Sequence, residues 1–151
     1  MILKNTAIAF VALFMLSGCN TTPRPEIMTP AMEESYVADF EKNIGDRVWF
    51  GYNKSDLSPE AKEQLSKQAE WLKKHDLMKA TIEGHCDERG TREYNLALGE
   101  RRAESVQKFL LNQGIVSNRL DTISYGKERP AVMGNDESAW KQNRRAVLVV
   151  K

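Results

Sequence analysis

The stretch from Arg92 to Gln113 constrains the fold of this chain more than any other. On a helix at about 100° per residue, with Leu98 at the origin, Phe109 falls at about 20°, Arg102 at about 40°, Asn95 at about 60° and Val106 at about 80°. The spacing sets an arginine and an asparagine in the middle of an apolar stripe, with Arg101 only at its margin. Such a stripe is buried against another layer. A guanidinium aimed inward is costly unless a carboxylate or a ligand anion meets it. Spacing alone leaves two readings open: a structural salt bridge to a loop acid, and a preformed anion site at the rim between helix and sheet. Asp87, in the charged loop His85–Thr91, is the natural partner. An acid and an inward arginine at one rim can grip a zwitterion, the acid taking an ammonium and the guanidinium a carboxylate. An α-amino-acid head group has that charge pattern.

The remaining periodicities supply the layers. Arg47 to Asn53 is β-prone, with Val48, Phe50 and Tyr52 on one face. Ser58-Pro59 is an N-cap followed by proline at the first helical position, and the helix runs to about His75 with Ala61, Leu65, Ala69 and Leu72 at helical spacing. Lys79 to Gly84 and Leu120 to Tyr125 read as strands, Glu137 to Arg144 as a short helix and Ala146 to Val150 as a terminal strand. Gly114 stops the helix that starts at Arg92. The order β-α-β-α-β-(α)-β predicts an α+β two-layer sandwich, two helices laid over a four-stranded mixed sheet.

The N terminus reads as an address. Lys4, the apolar run Ala7–Leu16, small Ser17 and Gly18, and then Cys19 form a lipoprotein-type signal peptide, residues 1–18. The run makes about 15 Å of helix, roughly half of a hydrocarbon core, and is a poor transmembrane span. Cys19 is the expected lipidation site, because sulfur is the atom acylated. Thr21, Thr22, Pro23, Pro25 and Pro30 mark residues 19–45 as lipidated N terminus and tether, with a weak helical signal over Met32–Lys42; the folded domain is expected over 46–151. Removing residues 1–18 removes Lys4 alone from the 22 basic residues and leaves them balanced against 21 acidic ones. A balanced chain gives no electrostatic case for nucleic acid. With Cys19 committed to lipid, Cys86 has no partner for an intramolecular disulfide, and the fold relies on its core.

Other chemistries fit the loop less well. His85, Cys86 and Asp87 are adjacent and point in different directions, and His75 sits apart at a helix end, so no metal is expected. Cys86 beside His85 lacks a third orienting residue for nucleophilic catalysis. Trp49, Trp71 and Trp140 are expected to pack or to cover surface. No catalytic residue and no cofactor is expected.

The run from Glu83 to Ala103, with His85-Cys86-Asp87-Glu88-Arg89-Gly90-Thr91, Tyr94-Asn95-Leu96 and Arg101-Arg102-Ala103, closely resembles the OmpA-like peptidoglycan-binding domain, and within that family the peptidoglycan-associated lipoproteins. Ser124–Val132 and Asn143–Val147 match the same family, and the likeness spans about residues 47–150. The resemblance implies non-covalent binding of the peptidoglycan stem peptide through meso-diaminopimelate, with Asp87 taking the ammonium and Arg102 the carboxylate. It implies pocket walls from Tyr52 and Asn53 at the first strand's end and from Asn95 and Leu98 on the helix, and Arg145 near the rim. Asn53 stands where the family usually has aspartate, and Cys86 where it has threonine or alanine. The resemblance further implies an outer-membrane lipoprotein, palmitate among its acyl chains, since Asn20 rather than aspartate follows Cys19. It implies TolB and TolA as partners within the Tol-Pal system, and a part in envelope constriction during cell division. A wall-binding lipoprotein outside the Tol system, and a periplasmic cell-wall hydrolase, are the alternatives.

Overall fold

The computed structural model describes residues 27–151; the expected signal peptide, residues 1–18, and Cys19 lie outside the described residues. Four strands form one sheet in the order β1 (Arg47–Trp49), β4 (Arg145–Val150), β2 (Ala80–His85), β3 (Leu120–Gly126). β4 runs antiparallel to both its neighbours, and β2 and β3 are parallel. The sheet is therefore mixed, and two long helices, α2 (Pro59–Lys74) and α3 (Arg92–Asn112), complete the expected two-layer α+β architecture.

Each helix starts where its chemistry dictates. The Ser58 side chain accepts from the Ala61 N–H at 3.2 Å, with Pro59 at the first helical position. The Thr91 hydroxyl accepts from the Tyr94 N–H at 3.2 Å. Both bonds satisfy donors that a helix start otherwise leaves open. α2 buries Ala61, Leu65, Ala69 and Leu72, and α3 buries Leu98, Ala103, Val106 and Leu110. All but Leu98 meet Ile82, Leu148 and Val150 of the sheet in one core.

The first strand is shorter than its composition suggests. Regular pairing ends at Trp49, although the Phe50 N–H still reaches the Arg144 carbonyl at 2.9 Å. Val48 and Phe50 are buried as expected, whereas Tyr52 is exposed. The chain turns here: Lys54 N–H bonds Gly51 O, and Asn53 takes φ 55°, a left-handed conformation that asparagine tolerates. The strand's end becomes a loop that covers α3.

The packed unit reaches further toward the N terminus than residue 46. Pro30–Asp39 is helical (α1) and continues into a π-helical turn, Phe40–Ile44. Phe40 is fully buried, its ring centroid 4.8 Å from that of Trp71, and the Trp71 indole N–H donates to Asp39 at 2.7 Å. Gln64 and Gln68 of α2 bond the carbonyl of Gly45. α1 itself buries no residue, which is why its sequence carries little helical periodicity. Phe40, with Tyr36 edge-on to Trp71 and His75 and Val37 and Ile44 beside the core, holds this segment down.

α3 lies on β2 with nothing between them. A Cβ at Gly84 would sit 1.8 Å from the Gly99 carbonyl oxygen, and one at Gly99 would sit 2.3 Å from Ser124 Oγ. Since the obstacle at Gly84 is backbone, it cannot rotate away. Gly84→Ala is expected to cost about 3 kcal/mol or more, read as a fall of about 10 °C in Tm for a domain this size. A Tm within about 2 °C of wild type would contradict the close approach.

Candidate functional site

The loop after β2, the start of α3 and the turn after β1 enclose a cavity of about 350 Å³. Tyr52, Asn53, Asp87, Asn95, Leu98 and Arg102 all line it, together with Cys86, Arg89, Gly90, Thr91 and Tyr94. Arg145 does not.

Arg102 forms the floor. It is 0 % exposed, as its place in the apolar stripe requires, while Arg101 is exposed. Its Nε–H donates to Lys54 O at 2.8 Å, Nη1 to His85 O at 2.7 Å and Nη2 to Gly51 O at 3.1 Å. The expected carboxylate partner is therefore replaced by three backbone carbonyls. Burial pulls its pKa down, but a guanidinium stays protonated in proteins.

Asp87, 4 % exposed, sits across the cavity from no such carbonyls but within a basic net. Among the described residues it pairs with Arg89 and Arg144, not with Arg102. Oδ1 accepts from the Arg89 backbone N–H at 3.1 Å and from Arg89 Nε at 3.2 Å. Oδ2 accepts from Arg89 Nη2 at 2.7 Å and Arg144 Nη1 at 3.3 Å. Burial pushes the carboxyl pKa up, and the Arg89 and Arg144 bonds together outweigh it, leaving the group below the usual carboxylate range. Arg144 also reaches Glu137 and the Phe50 carbonyl. The cluster holds three guanidiniums, Arg89, Arg102 and Arg144, against two carboxylates, Asp87 and Glu137. It suits a ligand that brings a carboxylate.

The walls are held by short-range bonds. Asn95, buried in the apolar stripe, donates to the carbonyls of Arg89 at 2.8 Å and Thr91 at 3.0 Å and so pins the loop. The Tyr94 hydroxyl donates to Asn53 Oδ1 and closes the turn onto α3. The buried Cys86 thiol points at the Asn95 carbonyl, and burial raises its pKa, so it is a poor thiolate. The Arg89 guanidinium lies 4.0 Å from the Tyr52 ring centroid and 3.9 Å from that of Trp140. Trp140, expected to pack or to cover surface, thus stacks a charged group of the site.

Arg145 belongs to the other side of the sheet. It neighbours Ala146, whose side chain enters the core, and strand alternation turns Arg145 away. Its guanidinium donates to the carbonyls of Asn143 and Arg129, and it is adjacent to His85. Arg144, one residue earlier at the end of α4 (Glu137–Asn143), is the arginine that reaches Asp87. A register shifted by one residue would exchange the two, and no periodicity in the sequence distinguishes them. Arg89 carried no signal beyond its place in the loop.

The OmpA family model matches residues 49–144. A peptidoglycan-associated lipoprotein of Mesorhizobium japonicum is 45 % identical over 95 % of this chain and 89 % of its own length. One from Pseudomonas aeruginosa is 53 % identical over 66 % of this chain and 59 % of its own. The crystal structure of the peptidoglycan-associated lipoprotein from Burkholderia pseudomallei superposes with a TM-score of 0.70 at 38 % identity, covering 74 % of this chain and 96 % of that one. The C-terminal domain of Helicobacter pylori MotB shares the fold, with a TM-score of 0.66 at 19 % identity, over 70 % of this chain and 84 % of that one.

His85 gives the site a pH signature. Its carbonyl holds Arg102, while its ring is 1 % exposed beside Glu83 and Tyr125. Burial, then Arg145 and Arg129, push its pKa down to about 4. The unfolded chain binds this proton near the ordinary 6.5 and the folded one does not, so its contribution is whole above that pH and drains as pH falls toward about 4. The slope is up to about 1.4 kcal/mol per pH unit. Asp87 drains in a separate window, as pH falls below the ordinary 3.8 through its depressed pKa. Thermal melts between about pH 7 and pH 4.5 are expected to fall for wild type and to fall less for His85→Asn. Equal slopes would contradict a buried neutral imidazole.

Proposed function

The chain belongs to the OmpA family and groups with its peptidoglycan-associated lipoproteins, and from that premise we propose that it ties the outer membrane to the cell wall by holding meso-diaminopimelate in the Asp87–Arg102 cavity. The observation that carries this reading is the convergence of a buried acid and a buried guanidinium on one cavity large enough for an amino-acid head group. The diaminopimelate side chain ends in an ammonium and a carboxylate on one carbon. Asp87 takes the ammonium, and the Arg102 N–H groups not spent on backbone carbonyls take the carboxylate. Asn95 and Leu98 form the helical wall, and Tyr52 and Asn53 the loop wall. Arg144 acts from behind the cavity by holding Asp87, and Arg145 has no part in it. Asn53 accepts from Tyr94, a role its amide oxygen fills as well as a carboxylate would.

Residues 1–18 are the signal peptide in this reading, and Cys19 carries the lipid in the outer membrane's inner leaflet. The domain reaches the wall from there. Several acyl chains at about 0.8 kcal/mol per buried CH₂ hold such an anchor. TolB and, through the Tol-Pal system, TolA are its partners in constricting the envelope during division. Its work is binding rather than catalysis.

Co-sedimentation of the full-length chain in detergent with purified peptidoglycan tests the clamp. Wild type is expected to pellet with diaminopimelate-type wall and not with lysine-type wall. Asp87→Ala is expected to lose about 2 kcal/mol or more, roughly 30-fold in affinity, while Arg101→Ala binds as wild type. Equal pelleting with both walls, or by Asp87→Ala, would contradict the clamp.

A further inference from the structure

We infer that Arg89 is a specificity latch that occupies the ammonium position on Asp87 and yields it only to a cationic ligand group. The inference rests on the zwitterion reading above and concerns how that site opens. A carboxylate offers about four lone-pair sites. At Asp87 all four are filled: two by the Arg89 side chain, one by the Arg89 backbone N–H and one by Arg144. An ammonium therefore reaches Asp87 only by displacing a donor.

Arg89 is the donor built to leave. Its backbone N–H is fixed by the loop, and Arg144 is tied at three points and nearly buried. The Arg89 guanidinium is partly exposed; two side-chain bonds tie it to Asp87, and its only other ion pair among the described residues, to exposed Glu137, is a long 4.0 Å. Tyr52 and Trp140 clasp it on either face, at 4.0 Å and 3.9 Å. Such stacking helps to hold the guanidinium in the shut position. When the ligand ammonium takes the two released acceptor positions, it replaces one cation by another, and Asp87 is never left uncompensated. A ligand without an ammonium has nothing to exchange and leaves the latch shut. The displaced guanidinium lies at the rim, where it can turn to a ligand carboxylate.

The signs of the effects distinguish a latch from a contact. Deleting a positive charge at the rim weakens binding of any diacid. Deleting an internal competitor tightens binding of a ligand that needs its place, because the competent fraction rises. Titration calorimetry on the full-length chain in detergent, with meso-diaminopimelate and with pimelate, the same seven-carbon diacid lacking both ammonium groups, separates the two. Arg89→Ala is expected to tighten diaminopimelate about fivefold or more and to leave pimelate no tighter. Trp140→Leu, which removes one face of the clasp and keeps the guanidinium, is expected to tighten diaminopimelate by a smaller factor and decides the matter where Arg89→Ala does not fold. Unchanged or weakened diaminopimelate binding in both variants, with Asp87→Ala still abolishing it, would overturn the latch and leave the clamp standing. Diaminopimelate binding that survives Asp87→Ala, or no binding by wild type and both variants alike, would overturn clamp and latch together.

Discussion

The buried guanidinium of Arg102 is the interaction on which the rest of the structure depends. It lies on the helix face that the core requires to be apolar, and it is 0 % exposed. Burying a cation without partners is prohibitive, and three carbonyls from two separate segments meet it. Two of them, Gly51 and Lys54, belong to the turn after β1, and the third, His85, ends β2. The arginine thereby fixes where the first strand stops, where the loop bearing Asp87 departs, and how both sit against α3. The glycine contact between β2 and α3 sets the height of that arrangement, since only Gly84 and Gly99 allow the two backbones to approach so closely. Arg119 follows the same logic elsewhere, spending its donors on the carbonyls of Leu72, His75 and Met78 at the end of α2.

A site built on this scaffold has its charged groups hydrogen-bonded before any ligand arrives. Asp87 is answered by Arg89 and Arg144, Glu137 by Arg144, and Arg102 by backbone dipoles. Recognition in such a place proceeds by substitution of one hydrogen-bond partner for another, with little net change in bond count. That favours discrimination by charge pattern over raw affinity, because a ligand lacking one of the groups leaves a buried polar atom unmet.

Much of this was legible in the chain before the structure. The period of α3 placed Arg102 and Asn95 inward and Arg101 at the margin, Ser58-Pro59 marked the start of one long helix and Gly114 the end of the other. These features are local, and helical geometry converts them directly into direction. The order of strands and helices fixed the two layers for the same reason. What escaped depends on contacts between distant segments. Nothing near Arg102 in sequence announces the carbonyls of Gly51 and Lys54. Arg144 and Arg145 differ by one position at a strand boundary, and a shift of one residue exchanges the two sheet faces. Phe40 and Tyr36 hold the N-terminal helix to Trp71 from 31 and 35 positions away, with no fully buried stripe to reveal it. The stacking of Arg89 between Tyr52 and Trp140 unites three segments and has no signature in any of them.

The central claim is that the cavity between Asp87 and Arg102 is where a zwitterionic amino-acid group binds. The most direct measurement is a titration of the isotope-labelled full-length chain with meso-diaminopimelate, followed through backbone amide and arginine Nε–H resonances. The account predicts saturable shifts confined to the turn 51–54, the loop 86–91, Asn95 and the Nε–H groups of Arg89 and Arg102. Shifts centred elsewhere, such as the cleft between Trp49 and Ser58 at the edge of the sheet, or none at saturating ligand, would contradict it.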